Sequence, residues 1–396
     1  MNSQKWVLLA AFAFAFLLGG CQQGKTPTQK EQAAREWNGA RSAVLASLAN
    51  EQYKSGNFDK ARRTVDEALK MTPDSEPLHI LSAKLAIENG QLELAEQELA
   101  LARKYNPNDP EAYYLTGVVY QRWQKPQLAY DNYHQASAKA PAELAYVLAE
   151  AEMLVALDRS PEALTLLQGK VVYFEHSGAI RDVVGQLLMQ AGRYPEAIAS
   201  FREASILAED DQGIRERLAS ALFHNNEYRE AADILSRLVQ TDAFNKRADL
   251  FTMLGECQLA LGKPREARYS FESASSLDQY DAHIWECLGR AALEQGDLHR
   301  AELSLARSIK LDSAVADAHL LLGYTFLRQN KLPAALAEFQ KASASDPRDT
   351  VSLCMVGYTL AKMGHTDEAF QTYAKALKIH PGDDMARTLM ADVDGK

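Results

Sequence analysis

The residues able to do chemistry in this 396-residue chain are few and scattered. Nine histidines stand at His79, His134, His176, His224, His283, His299, His319, His365 and His380, and no two lie within four residues of each other. A helical histidine pair of the H-E-x-x-H kind therefore cannot form. The four cysteines, Cys21, Cys257, Cys287 and Cys354, include no C-x-x-C pair, which excludes a zinc ribbon and a disulfide-stapled scaffold. Neither a G-x-S-x-G elbow nor a G-x-G-x-x-G loop occurs. A nucleophilic thiol needs a base beside it, and the sequence names none, so Cys257, Cys287 and Cys354 read as small packing residues. A Cys257–Cys287 disulfide stays open for an oxidising compartment. Gly19 to Thr26 matches G-x-x-x-x-G-K-[ST] letter for letter, but that loop cradles phosphate only between a strand and a helix, and no strand precedes it. The expectation is a protein that is not an enzyme, with no cofactor and no metal.

Composition places the chain among folded soluble proteins, with 47% hydrophobic and 24% charged residues. A net charge of −10 argues against nucleic acid, whose phosphates call for a basic face. The start of the chain is different. Lys5 precedes an unbroken apolar run from Trp6 to Leu18, too short for a bilayer core of ~30 Å and of the length of a signal-peptide apolar segment. It ends in Leu18-Gly19-Gly20-Cys21, which resembles the lipobox of bacterial lipoproteins. The resemblance implies a signal peptide over 1–20, acylation of Cys21 and a membrane attachment made stable by more than one acyl chain. Gln22, in place of the aspartate that retains such proteins at the inner membrane, implies the periplasmic face of the outer membrane, with another exported, membrane-attached location as the alternative. Residues 21–41 then serve as lipidated cysteine and tether, with 29–41 open to being helical.

The elements behind these residues follow from an internal repeat. A ladder of alanines runs through Ala61, Ala95, Ala129, Ala163, Ala197, Ala231, Ala267, Ala301, Ala335 and Ala369. Eight of its nine steps are 34 residues, and the step from Ala231 to Ala267 is 36. Twelve residues before each alanine stands glycine or alanine, and four residues after it a bulky apolar residue; Pro73, Pro107, Pro141, Pro347 and Pro381 follow twelve residues later. This pattern resembles the tetratricopeptide repeat over residues 42–383. It implies an all-α fold, a right-handed superhelical solenoid of about ten helix-turn-helix repeats. Small residues let the two helices of a repeat approach, large ones fill the groove beside them, and proline stops the second helix. Asp158, Ser160 and Lys170 depart from the pattern in the fourth repeat, and the longer step stretches the connection near Thr241 to Lys246. Met385, Leu389, Met390 and Val393 fall at helical spacing, so 384–396 reads as a capping helix.

In this family the first helix of each repeat, helix A, lines the concave surface. Carried over position by position, the resemblance puts Ile80, Ile87, Tyr114, Val118, Arg122, Leu148, Val155, Met189, Phe223, Leu259, Arg290, Leu293, Leu320, Tyr324, Leu327 and Tyr358 on a groove for a protein or peptide client, with no small-molecule substrate. Packing within the repeats is the alternative reading of the same residues. The lysine- and asparagine-rich carboxylate clamp of chaperone-binding relatives is missing from the first three repeats. The whole resembles bacterial tetratricopeptide lipoproteins, such as type IV pilus pilotins and Tad-type pilus lipoproteins. That likeness implies a membrane-anchored adaptor for pilus, secretion or polysaccharide-export assembly; a soluble scaffold without an anchor is the alternative, and an enzyme a remote one.

Overall fold

Each alanine of the ladder sits where two helices touch, and all ten are fully buried. The bulky residues four positions later are equally buried, from Val65 to Tyr373. Both positions lie on one stripe of the second helix of a repeat, helix B, so the spacing itself makes that helix amphipathic. The structure, a computed structural model, describes residues 28–314 and 316–394. Among these it contains 21 α-helices, one short 3₁₀ turn and no strand. The signal peptide, Cys21 and the Gly19–Thr26 match lie outside the described residues.

The chain divides into two units, Met1–Tyr173 and Phe174–Lys396. In the first, helices pair as α1 (Gln29–Lys54) with α2 (Phe58–Met71), α3 (Glu76–Glu88) with α4 (Leu92–Tyr105), α5 (Pro110–Arg122) with α6 (Pro126–Lys139), and α7 (Leu144–Ala156) with α8 (Ser160–Lys170). Helix α8 is short and runs into the 3₁₀ turn Val171–Tyr173, so the irregular fourth repeat ends where the first unit ends. Helix α1 begins inside the expected tether. Thr28 and Glu31 form a reciprocal capping box at its start, with Thr28 N–H donating to Glu31 Oε2 at 2.7 Å.

The second unit pairs α9 (Gly178–Gln190) with α10 (Tyr194–Leu207), α11 (Gln212–His224) with α12 (Tyr228–Leu238), and α13 (Ala248–Ala260) with α14 (Pro264–Leu277). It continues with α15 (Ala282–Gln295) and α16 (Leu298–Leu311), α17 (Ala316–Arg328) and α18 (Leu332–Ser345), and α19 (Thr350–Lys362) and α20 (Thr366–Ile379). Helix α21 (Asp384–Asp394) closes the end, its Leu389, Met390 and Val393 packing on the cluster around Tyr373 and Met355. The described residues thus form ten helical hairpins plus a terminal helix, the all-α repeat fold the spacing predicts.

One device recurs at every turn between the helices of a hairpin. A single residue there takes a positive φ: Gly56, Gly90, Gln124, Asp158, Gly192, Asn226, Gly262, Gly296, Asn330 and Gly364. Six are glycine, for which the left-handed region carries no Cβ penalty, and Gln124 is the least suited of the rest. Helix A starts are fixed in a second way. Asp109, Asp211, Asp281 and Asp349 cap α5, α11, α15 and α19 by accepting from backbone N–H groups of the first turn.

Candidate functional site

Side chains on successive helices A meet across the repeats. In the first unit Lys84 of α3 pairs with Glu111 of α5 at 2.6 Å, and Gln121 of α5 donates to Glu152 of α7 at 2.9 Å. Between them Tyr114 lies against Tyr146 of α7, ring centroids 4.8 Å apart, and against Tyr133 of α6 at 5.5 Å. Burial raises the Tyr146 phenol to about 12, helped by the charges of Glu111, Glu143 and Asp109. Two of these acids also act on Glu76: burial, its hydrogen bond with Asp109 and the charges of Asp109 and Glu111 push it up to about 7. This part of the helix A face is therefore aromatic and acidic.

In the second unit Asp182 of α9 holds Arg217 of α11 through two hydrogen bonds, 2.7 and 2.8 Å long. Glu216 of α11 pairs with Arg247 at the start of α13 at 2.9 Å. A pocket of about 330 Å3 opens beside Phe223, Tyr228, Glu256, Leu259, Arg290 and Glu294. Further along, Tyr324 packs edge-on against Phe339 at 5.3 Å, and burial raises its phenol. A second pocket of about 320 Å3, lined by Tyr358, Lys362, Tyr373 and Val393, lies under the terminal helix.

The groove residues expected from the sequence divide by burial. Ile80, Ile87 and Leu293 lie inside core clusters at 4%, 5% and 9% exposure, so they pack the repeats and cannot line an open groove. Their stripe on helix A turns toward the neighbouring repeat. Tyr114, Val118, Leu148, Val155, Met189, Phe223, Leu259, Leu320, Tyr324, Leu327 and Tyr358 are half-buried, each with part of its surface free. Arg122 is exposed, but its Nη1 donates to the carbonyl of Ile87 at 2.6 Å, closing the end of α3. Arg290 is half-buried and pairs with Glu286 at 3.1 Å. Sequence reasoning missed Tyr146, Glu76 and Tyr228; the first two sit on helices A where only the neighbouring repeat reveals a role, and Tyr228 begins helix B α12 beside Phe223.

The cysteines settle into two kinds of site. Cys257, Cys287 and Cys354 are free and buried, and no disulfide joins Cys257 to Cys287. Burial pushes the Cys257 thiol up to about 12 and Cys354 to about 11, as expected of inert packing thiols. Cys287 differs. His283, one helical turn earlier on α15, places Nε2 3.5 Å from its Sγ, and Arg290 Nη2 lies 3.6 Å from it on the other side. The base that the sequence did not name stands four residues away. Hydrogen bonds to Cys287, Glu256 and Glu286 push the His283 imidazole up to about 12.

With this geometry in place, comparison with known proteins identifies the class. Profiles of the tetratricopeptide repeat match residues 52–117, 188–250, 287–350 and 351–383, more than half of the chain together. The chain belongs to the tetratricopeptide-repeat family, a class of protein-interaction scaffolds. Solved structures similar to it include one described as MamA, 21% identical, covering 41% of this chain and 95% of its own, with a TM-score of 0.39. The APC/C hetero-tetramer Cut9-Hcn1 contains a chain 13% identical, covering 89% of this chain and 96% of its own, with a TM-score of 0.47. YrrB, described as a tetratricopeptide-repeat protein with an unusual peptide-binding site, is 21% identical over 48% of this chain and 96% of its own, with a TM-score of 0.40.

Proposed function

We propose that this chain is a lipid-anchored scaffold that captures a protein client on its helix A face and supports assembly of a cell-envelope machine, such as a pilus, secretion or polysaccharide-export apparatus. The observation that carries client capture is the set of half-buried aromatic residues that keep part of their surface free on helices A, Tyr114 and Tyr146 in the first unit and Phe223, Tyr324 and Tyr358 in the second. Aromatic side chains held by packing on one side lose little further entropy on binding, and they supply most of the energy in peptide grooves. Glu76, Asp109, Glu111 and Glu143 beside Tyr114 and Tyr146 suit a client segment with basic residues.

The anchor rests on Leu18-Gly19-Gly20-Cys21 after the apolar run, and Gln22 favours the outer membrane. Acyl chains on Cys21 would leave the whole repeat array facing the periplasm, where exported subunits pass. Two variants test the reading. Cys21→Ser should move the protein from the membrane to the soluble fraction, and unchanged fractionation would refute the anchor. Phe223→Ala with Tyr324→Ala should lower recovery of cross-linked clients at least tenfold, from loss of about 1.4 kcal/mol or more of aromatic contact. Full recovery of every client by a folded double variant would show that these residues only pack.

A further inference from the structure

We propose that Glu256, His283 and Cys287 form a binding site for a zinc-like divalent metal ion, which neither the repeat family nor the scaffold function requires. Glu256 comes from α13, and His283 and Cys287 from α15, so the site clamps the first helices of two successive repeats. The three ligand atoms all lie within 4.8 Å of one another. His283 Nε2 stands 3.2 Å from Glu256 Oε1 and 3.5 Å from Cys287 Sγ. Bonds of the lengths zinc makes to N, O and S, arranged tetrahedrally, set those two edges at about 3.4 and 3.6 Å. Two edges of the triangle thus match a face of a zinc tetrahedron, and the third is no longer than 4.8 Å.

The surroundings also suit a metal. A single Nε2–H cannot donate fully to both a carboxylate and a sulfur, whereas a cation between the three atoms satisfies all of them. Glu286 Oε2 lies 3.6 Å from His283 Nδ1, placed to hold the Nδ1 proton while an entering ion displaces the proton on Nε2. Glu286 is buried and is itself held by Arg290 at 3.1 Å. Two carboxylates and a thiolate carry three negative charges, balanced by one dication and the Arg290 guanidinium. The Asp281 cap accepts from His283 N–H at 2.8 Å and fixes the start of α15 under the imidazole. Half of the His283 side chain is exposed, so the ion has a path from solvent. Three protein ligands leave a fourth position for water.

The full chain, stripped with chelator, is titrated with Co2+ and then with Zn2+. We expect one equivalent of Co2+ to give the near-ultraviolet thiolate-to-metal absorption of a bound cysteine, and Zn2+ to displace it. Cys287→Ser should abolish that band, and His283→Asn and Glu256→Gln should each weaken binding at least tenfold. Glu286→Gln, outside the ligand set, should weaken it about 10- to 100-fold. Zn2+ should also slow alkylation of Cys287 at least tenfold. Absence of the thiolate band at saturating Co2+ overturns the site, as does equal affinity in His283→Asn with a native circular-dichroism spectrum. Alkylation of Cys287 at the same rate with and without Zn2+ overturns it too, and would leave a hydrogen-bonded thiol.

Discussion

A methyl group added to Gly323 would stand 2.6 Å from the ring of Phe339, sixteen residues later in the same hairpin. The same closeness links Gly117 to Tyr133, Gly185 to Phe201, Gly255 to Phe271 and Gly357 to Tyr373. Where helix A carries alanine at this place, helix B carries a smaller partner: Ala49 with Val65, Ala83 with Leu99, Ala151 with Leu167 and Ala219 with Leu235. Gly289 is the exception, facing Leu305. Interiors are packed so densely that the sum of the two volumes, and not either residue, is what the other nine hairpins keep nearly constant.

Gly323→Ala should therefore cost about 1–3 kcal/mol through overpacking. Phe339→Leu alone should also destabilise, by leaving a void. The pair together should recover much of the loss, since the alanine methyl fills part of the space the ring left. Urea unfolding of the four proteins completes the cycle, and strictly additive losses would refute volume matching.

Gln124 occupies a left-handed turn position, φ 56°, that glycine fills in six of the ten hairpins. Gln124→Gly should raise stability by about 0.5–1 kcal/mol, because the Cβ strain it removes exceeds the added freedom of the unfolded chain. Asn226→Gly should gain less, since asparagine tolerates this region. Urea midpoints for the two variants would rank them, and a larger gain at Asn226 would contradict the argument.

Arg122 and Arg328 perform one task in two units: each donates through Nη1 to a backbone carbonyl 35 residues earlier, Ile87 and Leu293, at 2.6 Å. Arg122→Met or Arg328→Met should each destabilise by about 1 kcal/mol or somewhat more, from loss of a charge-assisted hydrogen bond. If Arg122 were a client contact alone, the urea midpoint of Arg122→Met would not move.

Glu76 gives the fold a pH dependence of unusual sign for a carboxylate. Its folded-state value is raised from 4.5 to about 7, so its contribution is full below about pH 4.5 and is lost as pH rises toward about 7. Solvent screening limits the effect to the order of 1 kcal/mol. Glu76→Gln should remove this loss, so that variant and wild type differ more at pH 8 than at pH 4.5 in thermal midpoint. An equal difference at both values would show that Glu76 does not titrate abnormally.

Most of the fold was legible because each repeat writes its contacts at fixed intervals. The alanine ladder, the glycine or alanine before it and the bulky residue after it specify ten hairpins without reference to anything distant. The face of helix A was harder. Ile80 and Tyr114 hold corresponding places by family rule, yet Ile80 is core and Tyr114 half-buried, because the neighbouring repeat decides how much surface remains. The His283–Cys287 pair was present in the sequence at one helical turn, but a search for paired histidines passes over it. Glu256, 27 residues earlier, joins them only through stacking of α13 on α15.

The matched volumes have an evolutionary consequence. Gly323 and Phe339 are inherited together, since both lie between one inter-hairpin connection and the next. Duplication or recombination with breakpoints in those connections would move a complete lock and key, and the transplanted unit would arrive already fitted inside. Breakpoints at the left-handed turn within a hairpin would instead join alanine to phenylalanine or tyrosine, forcing a clash. Exchange in such a gene should have left its seams between hairpins.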